Sequence, residues 1–141
     1  MFGGYLGGVK SNIFFKIDLA SKQITIINET QPLNGSSSTM KLAHQPCHRT
    51  ASRLAYSQKQ NSLYLFGGLT VTNQTLNDMW RFSIDSGEWE QVEQLGDVPD
   101  PRCGHTFATH NEKIFLFGGL KEVTKESNET FRFDIETRMW H

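Results

Sequence analysis

Apolar residues in this chain fall in short runs separated by polar or glycine-rich breaks, and the runs recur at a long interval. Two of them match closely, Leu63-Tyr64-Leu65-Phe66 and Ile114-Phe115-Leu116-Phe117, and each is followed by a glycine pair. A short run of apolar, β-branched or aromatic residues bounded by turn residues reads as a strand. The same reading places strands at 13–17, 23–27, 50–56, 79–82, 89–92, 104–109 and 130–133, with Trp140 opening one more. No segment repeats apolar positions at helical spacing, so an all-β chain is expected. The tripeptide Phe-Gly-Gly occurs at Phe2-Gly3-Gly4, Phe66-Gly67-Gly68 and Phe117-Gly118-Gly119. Each copy reads as a strand stopped by glycines, which accept positive φ and let another backbone come close.

The copies are in register. From Phe66 it is 14 residues to Trp80 and 23 to Trp89, and from Phe117 it is 14 to Phe131 and 23 to Trp140. From Phe2 it is 13 to Phe15 and 22 to Ile24, one residue shorter in the loop. Upstream, Arg102-Cys103-Gly104-His105 aligns with Arg49-Thr50-Ala51-Ser52. Four strands in a unit of roughly 50 residues point to the blade of a β-propeller. The expected division is a partial first blade at 1–28, a polar insertion at 29–46, a second blade at 47–93, a Pro-stiffened connector at 94–101 and a third blade at 102–141. Glycine-rich or polar loops are expected at 3–10, 69–77 and 121–128.

This pattern resembles the kelch repeat: Arg-x-x-His, an apolar strand ending in Gly-Gly, then an aromatic residue, then Trp. The third unit carries it as Arg102, His105, Gly118, Gly119, Phe131 and Trp140. The second carries Arg49, Gly67, Gly68, Trp80 and Trp89, with Ser52 in place of the histidine. The first keeps Gly3, Gly4 and Phe15 and puts Ile24 where Trp is usual. The resemblance implies a partial β-propeller of four-stranded antiparallel blades, about two full and part of a third. It also implies open apolar faces at both ends, because each blade buries its faces against its neighbours. The chain is therefore expected to be a fragment of a longer kelch protein.

Composition removes several functions. The net charge is −1, so no broad field attracts nucleic acid. No apolar stretch is long enough to span a membrane. Two cysteines make no disulfide framework, and an intracellular, cytoplasmic setting is the default reading. Cys47, His48, Cys103, His105, His44 and His110 could ligate a metal, but the paired spacing of a zinc site is missing, and no metal is expected. His105 reads instead as a structural hydrogen-bonding residue of the repeat. Gly3-Gly4-Tyr5-Leu6-Gly7-Gly8 lacks the Lys-Ser/Thr and the following helix of a phosphate loop, so no cofactor is expected. Trp80, Trp89, Phe131 and Trp140 recur at fixed repeat positions and read as packing between sheets.

The function read from this pattern is a scaffold that binds a partner protein rather than an enzyme. Loops after the second strand of each blade emerge beside the blade connectors, and loops on a rigid scaffold are where binding residues sit. The candidates for partner contact are Asn73, Gln74, Lys121, Lys125, Lys41 and His44. The alternative is a fragment of a kelch-like propeller enzyme whose catalytic residues lie outside this chain.

Overall fold

The computed structural model describes residues 1–27, 44–122 and 124–141. The described residues are all-β with no helix. In the first sheet β1 (Phe2–Leu6), β2 (Val9–Ile17) and β3 (Ile24–Ile26) lie in that order. The second sheet contains β4 (Arg49–Thr50), β5 (Arg53–Ser57), β6 (Ser62–Thr70), β7 (Thr75–Ser83) and β8 (Glu88–Val92). Both β4 and β5 pair with β6, which pairs in turn with β7, and β7 with β8. The third sheet draws on β9 (Leu95–Gly96), β10 (Thr106–His110), β11 (Lys113–Phe117), β14 (Thr130–Asp134) and β15 (Met139–Trp140). Between β11 and β14 a small hairpin forms from β12 (Leu120–Glu122) and β13 (Lys125–Glu126). All pairings are antiparallel except β9 on β15, so the expected connector supplies an edge strand to the third sheet.

The glycine pairs do not end the strands in the first two sheets. Pairing of β6 with β7 shifts register between Phe66 and Gly68 and then resumes at Gly68–Leu76 and Leu69–Thr75. The pair is a β-bulge, with Gly67 at φ +61° and Gly68 at φ +111°, and the strand runs on through it. The loop expected at 69–77 is therefore only the turn between Thr70 and Thr75. In β1 the register likewise shifts between Phe2 and Gly4, and the expected loop at 3–10 is a tight Gly7-Gly8 turn. Only in the third sheet does a strand stop at the tripeptide, with β11 ending at Phe117. The strand expected at 50–56 is broken at Ala51, whose φ is +55°.

The sheets stack face to face on aromatic side chains. Phe2 and Phe14 of the first sheet meet Trp89 of the second, and Phe14 also meets Phe82. Phe66 of the second sheet meets Phe107 and Trp140 of the third. The two interfaces repeat each other: Phe2 to Trp89 is 5.4 Å at 69°, and Phe66 to Trp140 is 5.4 Å at 62°. Tyr64, Met79, Ile114, Leu116, Phe133 and Trp140 complete a buried cluster between the second and third sheets.

The glycines set how closely successive units approach. A Cβ on Gly67 would lie 2.5 Å from the Arg102 carbonyl oxygen, and one on Gly3 would strike the Arg49 carbonyl. Gly68 N–H donates to that same Arg102 oxygen at 2.9 Å. Gly3 and Gly67 thus each seat the arginine backbone of the next unit. Gly118 has the same conformation, φ +68°, but among the described residues the only atom a Cβ there would meet is the Ser127 carbonyl oxygen at 3.0 Å.

Candidate functional site: the loop face

The arginines of the repeat build the floor of this face. Arg49 is buried, donates from Nη1 to Gly67 O at 3.1 Å, and clamps Asp78 with contacts of 2.6 and 2.8 Å. Arg102 donates to Gly118 O at 3.1 Å and to Glu129 at 3.0 Å, and it covers the Phe131 ring at 5.0 Å. A guanidinium with no water around it needs such charged and carbonyl partners. Asp78 also accepts the Trp80 indole N–H at 2.6 Å.

His105 does not play the hydrogen-bonding role expected of it. Its ring is buried edge-on against Phe66 and Phe107, and neither nitrogen has a hydrogen-bond partner among the described residues. Burial, helped by the nearby Arg53 and Arg102 charges, pushes its pKa down to about 4. The imidazole is neutral and serves as a flat, nearly apolar wedge beneath Gly67.

Three hairpins rise on the same side of the stack. Lys10, just past the Gly7-Gly8 turn, reaches the next hairpin, donating to Thr70 O at 2.6 Å and to Asn73 Oδ1 at 2.8 Å. Thr75 in turn donates from its hydroxyl to Lys121 O at 2.9 Å. Each hairpin is thus pinned to its neighbour. Between the second and third lies an open groove of about 470 Å³. Asn73, Gln74, Thr75 and Leu76 form one side, and Pro101 and Glu122 the other.

The expected partner-contact residues scatter over this face. Asn73 and Gln74 line the groove, with Asn73 in the left-handed conformation at φ +61° that suits asparagine at a turn. Lys121 stands beside the groove with its ammonium on Asp100 and Glu129, each at 2.8 Å. That contact with Lys121, together with Arg102 and Ser127, holds the Glu129 carboxyl down to about 2. Asp100 and Glu129 in turn raise the Lys121 ammonium above its ordinary value. Lys125 is exposed on β13. His44 lies away from the groove, edge-on to Trp80 at 5.5 Å, and Lys41 lies outside the described residues. Thr75, Leu76, Pro101 and Glu122 were missed, because spacing along the chain does not show which loops face each other. No group of three or more metal-capable side chains gathers among the described residues. No helix among them is long and apolar enough to cross a membrane.

Stacked antiparallel sheets, built from a repeat that buries a Trp against the preceding Phe-Gly-Gly, define a partial β-propeller. The family model for the KLHDC2/KLHL20/DRC7 Kelch-repeats domain matches residues 1–141, and the chain belongs to the kelch-repeat family. It is similar to Kelch repeat-containing protein 2 of Saccharomyces cerevisiae, 38% identical over 88 residues, which is 59% of this chain and 10% of that protein. The Leucine-zipper-like transcriptional regulator 1 homolog of Drosophila melanogaster is 29% identical over 141 residues, 99% of this chain and 14% of that one. Human Host cell factor 2 is 34% identical over 76 residues, 54% of this chain and 9% of that one. The chain spans about a tenth of the length of these relatives.

Proposed function

We propose that this chain is an intracellular protein-binding scaffold that takes a partner protein on its loop face, in the groove between the β6–β7 turn and the β12–β13 hairpin. The observation that carries this reading is the pinning of each hairpin to the next through Lys10 and Thr75, which preorganises a groove. Ordering these loops in advance lowers the entropy lost on binding. The side chain of Asn73 accepts from Lys10 and keeps its own N–H donors for a ligand. Glu122 makes no ion pair among the described residues, whereas Lys121 is already satisfied. The contact set is therefore Asn73, Gln74 and Glu122, with Lys125 at the rim and Lys121 holding the hairpin in place.

The same reading treats the chain as part of a larger kelch propeller, divided at 1–28, 47–93 and 102–141 around the stretches 29–46 and 94–101. The support is the third glycine pair. Gly3 and Gly67 each seat the arginine carbonyl of the following unit, while Gly118 holds the same conformation and seats none among the described residues.

Affinity capture from cell extract, quantified by mass spectrometry, tests the groove. The double variant Gln74→Arg, Glu122→Arg is expected to lose partners that the wild-type chain and an exposed control, Lys22→Ala, both retain. An identical captured set for all three would rule the groove out.

A further inference from the structure

A second cleft lies on the opposite rim, where the β5–β6 and β14–β15 turns meet, and it is independent of the loop face. Its volume is about 300 Å³. Tyr64, Arg81 and Glu90 are direct cross-strand neighbours, so they form a row across the face of the second sheet that looks toward the third. Arg138 closes the cleft from the turn between β14 and β15, and Val92 and Ile135 supply apolar lining.

The charges of this cleft are unevenly satisfied. Arg81 is fixed, donating from Nε to the Ser62 hydroxyl at 3.0 Å and from Nη1 to Glu90 at 2.8 Å. Its Nη2 group makes no hydrogen bond among the described residues. The Tyr64 hydroxyl donates to Gln60 Oε1 at 2.6 Å, and the Gln60 amide N–H groups make no hydrogen bond among the described residues. The second carboxylate, Glu136, is paired with Lys59. Arg138 is left with no ion pair among the described residues. The unused donors of the cleft are one edge of a fixed guanidinium, a whole second guanidinium and an amide, set beside the Glu90 and Glu136 carboxylates that Arg81 and Lys59 already hold.

The backbone under Arg138 adds a second observation. Its φ is +58°, in the left-handed region that favours glycine, and the equivalent turn position in the second sheet is Gly87 at φ +71°. Lys22 holds the equivalent position in the first sheet at φ +58°. The third unit therefore holds an arginine in a conformation that glycine would adopt with less strain, at the edge of a cleft that needs one more partner for its donors.

We propose that this cleft binds an oxyanion of phosphate size between Arg81 and Arg138. Two guanidinium groups facing one cleft suit the several acceptor oxygens of such a group, and Arg binds it by paired N–H donors rather than as a point charge. Titration of inorganic phosphate into the 141-residue chain at constant ionic strength, followed by calorimetry, tests it. One saturable event is expected, at least about tenfold weaker in Arg138→Gly and stronger in Glu136→Gln. The glycine variant is expected to melt at or above the wild-type temperature, because glycine suits that turn, so lost binding will not be lost folding. Absence of saturable binding, or equal affinity in wild type and Arg138→Gly, overturns the proposal.

Discussion

Arg49 and Arg102 show how single residues organise this fold. Each lies at the start of a unit, and each reaches a carboxylate placed eleven residues past the first glycine of the pair: Asp78 after Gly67, Glu129 after Gly118. The arginines were legible in the sequence as repeat positions. Their carboxylate partners were not, because the pairing depends on β7 and β14 returning beside the glycines, which spacing along the chain does not show. In the first unit the same register position is Ile13, so that unit has no carboxylate to hold a guanidinium. His105 was also legible by position but misread in role. Its depressed pKa makes acid stability a test. The unfolded imidazole takes up a proton near its ordinary value of 6.5, while the folded one resists until about 4. The stability linked to His105 is therefore whole above pH 6.5 and is lost as pH falls from there toward 4. The full difference corresponds to about 3 kcal/mol. Urea unfolding at a series of pH values is expected to show this slope in the wild-type chain and a flatter one in His105→Leu. Parallel slopes would show that the ring is not held neutral by the fold.

Among the elements, the glycine bulges matter more than the strands they interrupt. The strands themselves were legible: β8, β11 and β14 lie within a residue of where apolar and β-branched runs put them. What the runs could not show was that β6 and β7 continue past the glycines, since the segment from Leu69 to Asn77 is mixed in polarity and looks like a loop. Its pairing is sustained by backbone hydrogen bonds rather than by buried side chains, and those leave no hydrophobic pattern. The same bulge brings Thr75 and Leu76 to the groove. Gly67→Ala is expected to destabilise the chain by about 3 kcal/mol, since left-handed strain adds to a Cβ pressed on the Arg102 carbonyl. Gly7 also has positive φ, +56°, but nothing lies within 4 Å of a Cβ built there. Gly7→Asn should cost less than about 1 kcal/mol, because asparagine tolerates this conformation. Denaturant midpoints of the two variants measure the contrast directly. Similar losses would mean that conformation alone, and not the seating of the next unit, requires glycine at position 67.

For the whole molecule, the repeat sets up an unequal pair of faces. Tyr64 and Phe66 of the second sheet are buried, at 3% and 0% exposure, because the third sheet covers them. Their repeat equivalents, Phe115 and Phe117, are 39% and 53% exposed. At the other end of the stack Ile17 and Ile24, which pair across β2 and β3, are exposed where their equivalents Phe82–Trp89 and Phe133–Trp140 pack on the preceding unit. One end thus offers a Phe that elsewhere receives a Trp, and the other offers the position from which that Trp is given. Exposed apolar sheet faces of this kind drive association when nothing covers them. Sedimentation velocity over a concentration series is the measurement. The isolated 141-residue chain is expected to sediment faster as concentration rises, and Phe117→Asp is expected to suppress that rise. The side chain at 117 is already half in solvent, so the substitution should leave the far-ultraviolet circular dichroism and the melting transition of the monomer intact. A wild-type chain that stays monomeric throughout would show that the open face is satisfied without a covering sheet. It would also count against placing this chain within a larger propeller.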